Sequence, residues 1–120
     1  MAATALAPDE LVYRAILRKH WIHPDTQEIK AEAFLPRPGK DNDGLSVFRA
    51  IYCTPESCAK RFNRCFGVAE LKVASVQELG LSVIHPDQDP PEHALIVGLP
   101  TSVEDRERWA GLLAKRARLV

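Results

Sequence analysis

The side chains that could do chemistry here are few: three cysteines, four histidines, and scattered serines and carboxylates. Cys53, Cys58 and Cys65 are spaced C-x4-C-x6-C, unlike the paired C-x2-C of a structural zinc site. On a helix, Cys58 and Cys65 fall two turns apart, about 10 Å, too far to share one tetrahedral ion. They read as core thiols beside Phe62 and Phe66, since free cysteine is among the most buried residue types. His20 and His23 flank Trp21 and Ile22, but Pro24 turns the chain there and no third ligand stands near. His85 and His93 bracket an acidic loop, where histidines are more often hydrogen-bonded or exposed than ligating. No metal and no bound cofactor are expected.

The tripeptide His-Pro-Asp occurs twice, at His23-Pro24-Asp25 and His85-Pro86-Asp87. The first resembles the signature of J-domain cochaperones, but the dozen residues before Tyr13 cannot supply that domain's first helix. Proline fixes φ and aspartate caps its own backbone, so each tripeptide reads as the end of an element. Gly39-Lys40 lacks the upstream glycine and following hydroxyl of a phosphate loop. Asp41-Asn42-Asp43-Gly44 has its glycine misplaced for a calcium loop and no closing glutamate. Ser46, Ser57, Ser75, Ser82 and Ser102 lie in no G-x-S-x-G elbow.

These groups must be positioned by a small set of elements. Ser102 or Thr101 caps a C-terminal helix in which Trp109, Leu112, Leu113, Ala117 and Val120 form one apolar face. Thr54 and Pro55 open a second helix running to Phe66, with Gly67 closing it. Leu45–Tyr52, Val68–Val73, Leu81–Ile84 and His93–Val97 read as strands, the last apolar enough to lie centrally. Ser75–Glu78 reads as a one-turn helix, and Leu11–Leu17 leans to strand over helix. Leu35–Gly44 and Pro86–Glu92 are loops. The expected fold is α+β: a single domain over 1–120, frayed over 1–8, with an antiparallel or mixed sheet and the Pro55 and Val103 helices packed on one face. Trp109, Leu112, Leu113, Phe62, Cys58, Leu71, Val73, Leu95 and Val97 are the expected core.

Composition bounds the function. With 120 residues, 46% of them hydrophobic, the chain can bury one core. Sixteen basic residues balance 16 acidic ones, which counts against nucleic acid as the partner. The longest apolar run, Ala94–Leu99, is too short to cross a bilayer. The small apolar N-terminus lacks the basic start of a secretion signal, and an odd cysteine count suits a reducing compartment; a cytoplasmic protein is expected.

Leu11-Val-Tyr-Arg14, Ala33-Phe34, Leu45-Ser-Val47, Thr54-Pro-Glu56, Gly80-Leu81 and Pro91-Glu-His-Ala94 together resemble a group of small uncharacterised bacterial proteins over about Leu11–Leu99. The group carries no activity to transfer; it implies a bacterial, stand-alone protein. The leading expectation is a binding or accessory module acting on a protein partner through its loops, at Arg37, Lys40, Asp41, Asp43, Asp87, Asp89 and Glu92. Oligomeric state is left open. The competing class is an enzyme. A start of the form Tyr-Arg-x-Ile followed by a serine-bearing strand resembles compact toxins of the RES and ADP-ribosyltransferase type, which bind NAD in a split sheet. That resemblance casts Arg14 and Ser46 as the residues positioning NAD and Glu92 as the acid acting on the ribose, although the Gly-Arg-Trp-Asn stretch of RES proteins is missing. A third class is a nucleic-acid-associated regulator using Lys60, Arg61 and Arg64.

Overall fold

The computed structural model describes residues 3–37, 41 and 43–120. Its strands are β1 (Ala3–Ala5), β2 (Leu11–Ile16), β3 (Leu45–Arg49), β4 (Gly67–Lys72), β5 (Ser82–Pro86), β6 (His93–Val97) and β7 (Arg118–Leu119). They form one antiparallel sheet in the order β1-β5-β6-β3-β2-β4-β7. The helices are α1 (Pro55–Ala59), α2 (Val73–Gln77) and α3 (Val103–Arg116), with 3-10 turns at Lys19–Trp21 and Ala31–Phe34. The α+β class, the antiparallel sheet and the central place of His93–Val97 agree with the sequence. No described helix is long and apolar enough to cross a membrane.

Strand alternation divides the side chains between two faces. Val12 and Ile16 of β2, Leu45 and Val47 of β3 and Ile96 of β6 point to a core completed by Phe34, Val76, Ala110 and Leu113. Phe34 and Leu113 are wholly buried, so α3 and the Ala31–Phe34 turn close this face together. The alanines at 110 and 114 leave room for that approach. Trp109 anchors α3 by donating its indole N–H to the Leu79 carbonyl at 3.0 Å.

Four expectations are corrected. Ala3–Ala5 do not fray but pair with Ile84–Pro86 of β5, extending the sheet at its edge. The Pro55 helix ends at Ala59, although Thr54 caps it as anticipated, by accepting from the Ser57 N–H at 3.1 Å. Beyond it Phe62 is half-buried and Phe66 exposed, so one of the two anticipated main helices is a short one. Cys58 packs with Tyr13 and Ala15, which alternate with the core residues of β2, and with Val68, the β4 partner of Ala15, so α1 and α3 lie on opposite faces. Finally α3 stops at Arg116, and Arg118–Leu119 form β7, which adds to β4.

Candidate functional site

Two half-faces of the sheet remain on the α1 side. Over β2 and β4 the face is covered by α1 and Phe62. Over β1, β5, β6 and β3 it is bare, and there lies a cleft of about 720 Å³. Its floor follows from register. Ser46 pairs with Leu95 and Phe48 with His93 across β3–β6, Ile84 with Leu95 across β5–β6, and Ala3 with Pro86 across β1–β5. Directly paired residues share a face, and Ala3, Ile84, Pro86, Leu95, His93 and Ser46 all line the cleft.

Two loops form the walls. Arg37, Asp41, Asp43 and Gly44 come from one, Asp87, Gln88 and Asp89 from the other. The first is fixed by Asp41, whose carboxylate accepts from the Arg37 backbone N–H at 2.7 Å and from its guanidinium at 3.0 and 3.4 Å. Burial alone would raise the Asp41 carboxyl, but the Arg37 hydrogen bonds hold it below the ordinary carboxylate range. Gly44 then enters β3 at φ +141°, where a side-chain carbon would stand 2.7 Å from the Ile96 carbonyl oxygen. Only glycine suits that approach.

At the junction of the floor and the second wall, three polar side chains join in a row. Ser46 Oγ lies 2.6 Å from His93 Nε2, and His93 Nδ1 lies 2.6 Å from an Asp89 carboxylate oxygen. With Asp89 as the acceptor at Nδ1, the neutral imidazole carries its proton there and turns the Nε2 lone pair to the Ser46 hydroxyl. Consecutive turns, Asp89 N–H to Pro86 O at 3.0 Å and His93 N–H to Pro90 O at 3.0 Å, fold Asp89 back over His93. His85 secures the base of that loop through a 2.7 Å contact between its Nδ1 and the His93 carbonyl oxygen. Phe48 holds the ring from the side, edge-on to His93 at 6.0 Å and under the Arg61 guanidinium at 4.8 Å.

The third feature is a gap in the sheet. β2 keeps register with β4 along all six residues, but with β3 only at Val12–Arg49 and Tyr13–Phe48. That end is clamped by Arg49, which donates to Glu10 at 2.6 and 3.2 Å. From Arg14 onward the strands separate. Arg14 spans the opening, donating Nη1 to the Ser46 carbonyl at 2.8 Å and Nε to the Ala33 carbonyl at 2.8 Å. Burial pulls its guanidinium down to about 10, the Asp41 charge opposing, so it stays a cation at neutral pH. A slot of about 60 Å³ in the gap is lined by Arg14, Ala15, Leu17, Trp21, Arg37, Ser46, Phe48 and Phe62, and Ser46 and Arg37 border both slot and cleft.

Most of the residues singled out in the sequence therefore meet. Arg37, Asp41, Asp43, Asp87, Asp89 and Ser46 line one cleft, with Arg14 beneath Ser46. Glu92 does not join them: its carboxylate receives Arg61 at 3.1 Å, and its own backbone N–H and Arg61 hold it below the usual range. Lys40 lies outside the described residues, as does the Gly39-Lys40 pair. Both His-Pro-Asp tripeptides sit at turns, the first closed by Gln27 N–H to His23 O at 2.8 Å. Cys53 and Cys65 donate to the Arg49 and Gly67 carbonyls, and burial pushes the Cys58 thiol up to about 12, so these thiols are packing groups. Of the proposed basic face, Arg61 is already engaged by Phe48 and Glu92. His93 is a site residue that sequence reasoning misses; its signal is a polar residue at the head of an apolar strand, four residues after an aspartate. No family model, curated protein or solved structure matches the chain.

Proposed function

We propose that the chain is an NAD-consuming enzyme that cleaves the bond between nicotinamide and ribose at the opening between β2 and β3. The observation that carries this reading is the gap itself, with Arg14 from one strand bonded to Ser46 of the other. A split sheet with an early arginine and a later serine is the arrangement implied by the resemblance to RES and ADP-ribosyltransferase toxins. Arg37, partly exposed beside its Asp41 partner at the border of slot and cleft, offers cationic charge to a pyrophosphate, the buried Arg14 braces Ser46 from beneath, and Trp21, Phe48 and Phe62 offer ring faces for a planar base. The part first cast for Glu92 passes to His93. When nicotinamide leaves with the bonding electron pair, water or another acceptor adds at the ribose carbon. The acceptor's proton goes to His93 Nε2 while Asp89 stabilises the charged ring.

The test is incubation of the pure protein with NAD and measurement of free nicotinamide. Release by the wild type, reduced about a hundredfold or more in folded Ser46→Ala and His93→Ala, is expected. Neither binding nor turnover of NAD would remove the proposal.

A second reading, action through a protein partner, draws support from Ile51 and Tyr52, which are 63% and 54% exposed on the turn after β3. A pull-down from the native host, comparing the wild type with Tyr52→Ala, tests it: a partner lost with the ring supports it, and no partner above background sinks it.

A further inference from the structure

We infer that Ser46 is a nucleophile activated by His93 and Asp89, giving the cleft an acyl-transfer activity toward esters in addition to any action on NAD. The inference rests on the row Ser46–His93–Asp89 and not on the gap between β2 and β3. Both links are 2.6 Å long, within the distance at which a base can take a hydroxyl proton and a carboxylate can orient that base. The two imidazole nitrogens are used in the sense that chemistry requires: Nε2 faces the hydroxyl and Nδ1 faces the carboxylate.

The row is also held and open. The Phe48 ring and Asp89 hold the imidazole, His85 bonds the His93 backbone carbonyl, and the Arg14 bond fixes the Ser46 backbone. Ser46 is half-buried at the cleft floor, and the His93 side chain is 24% exposed, so a substrate can reach both. Leu95, Ile84 and Ala3 make the adjoining floor apolar, which suits a short acyl chain.

The chemistry closes with water as the second reactant. Ser46 Oγ bonds to the ester carbonyl carbon as its proton moves to His93 Nε2 and the carbonyl electron pair moves to oxygen. Collapse of that intermediate breaks the bond to the alcohol oxygen, which takes the proton from His93. Water then repeats the sequence on the acyl-serine and releases the acid.

A fluorophosphonate probe, which phosphonylates activated serines, tests this on the full chain in the absence of NAD, with labelling followed by mass spectrometry and folding by circular dichroism. Labelling of the wild type at Ser46 is expected, lost in Ser46→Ala and slowed about a hundredfold or more in His93→Ala. Parallel hydrolysis of a p-nitrophenyl acetate series should favour short chains and fall with the same variants. Absence of labelling in the folded wild type, labelling elsewhere, or unchanged labelling in His93→Ala overturns the inference. None of these results bears on nicotinamide release, so the two proposals fail separately.

Discussion

Arg14 is the residue on which the gap between β2 and β3 depends, and replacing it with lysine isolates how. Both side chains place a cation in the same buried position, so the cost of burying charge is similar in each. What changes is the fork. Arg14 serves the Ala33 and Ser46 carbonyls from two different nitrogens, whereas a single ammonium on a flexible stem cannot hold that planar two-point geometry. One carbonyl then loses its donor, and a buried acceptor left without a partner costs about 1–3 kcal/mol. Arg14→Met is the less informative change, because losing both donors is offset by removing a buried charge, itself worth several kcal/mol. In urea, with a slope of about 1–3 kcal/mol per molar for a small domain, Arg14→Lys should lower the unfolding midpoint by about 1 M at unchanged slope. Amide exchange should quicken at Ser46 and its β3 neighbours. An unfolding free energy within about 0.5 kcal/mol of the wild type would mean that the guanidinium does not brace the opening.

Other consequences can be checked on the same protein. Phe34→Ala, at a wholly buried ring joining the 3-10 turn to the core beside α3, should cost about 3–5 kcal/mol in denaturant titrations. Gly44→Ala should cost about 1–3 kcal/mol, from a side chain forced to φ +141° and against the Ile96 carbonyl; its catalytic effect, if Ser46 is displaced, appears in nicotinamide release. Asp41 has a folded pKa below its unfolded one, so its stabilisation is present above the unfolded value of about 4 and lost as pH falls through the folded value. Asp41→Asn should therefore cost about 1–2 kcal/mol at pH 7 and flatten the acid limb of the stability curve, as measured by thermal melts from pH 7 to pH 2.

Local signals carried much of this fold. Thr54-Pro55 and Ser102 mark helix starts because a capping oxygen and a fixed φ act within four residues. The apolar run Ala94–Val97 lies centrally because a strand with neighbours on both sides needs no polar edge. What failed was long-range. Nothing near Ala3–Ala5 announces pairing with residues some 80 positions later, and Phe62 and Phe66 continue a helical pattern after the chain has left the helix. The site was legible in its parts and not in its assembly. Arg14, Ser46, Arg37 and Asp89 could each be picked out by type, but their meeting depends on sheet order and register. Glu92 and His93 are adjacent in sequence yet take different partners: Glu92, in the turn before β6, takes Arg61, whereas His93, the first residue of β6, takes Ser46 and Asp89. His93 meets Ser46 because β6 lies beside β3, a pairing that no local signal carries.

Whether NAD occupies the opening between β2 and β3 is decided most directly by an amide nitrogen–proton NMR titration of the wild type with NAD. Saturable shifts concentrated at Arg14–Ile16, Ser46–Phe48, Arg37 and His93, and weakened in Arg14→Lys, are the expected result. Absence of shifts at millimolar NAD, or shifts gathered on a surface away from Ser46, would contradict it.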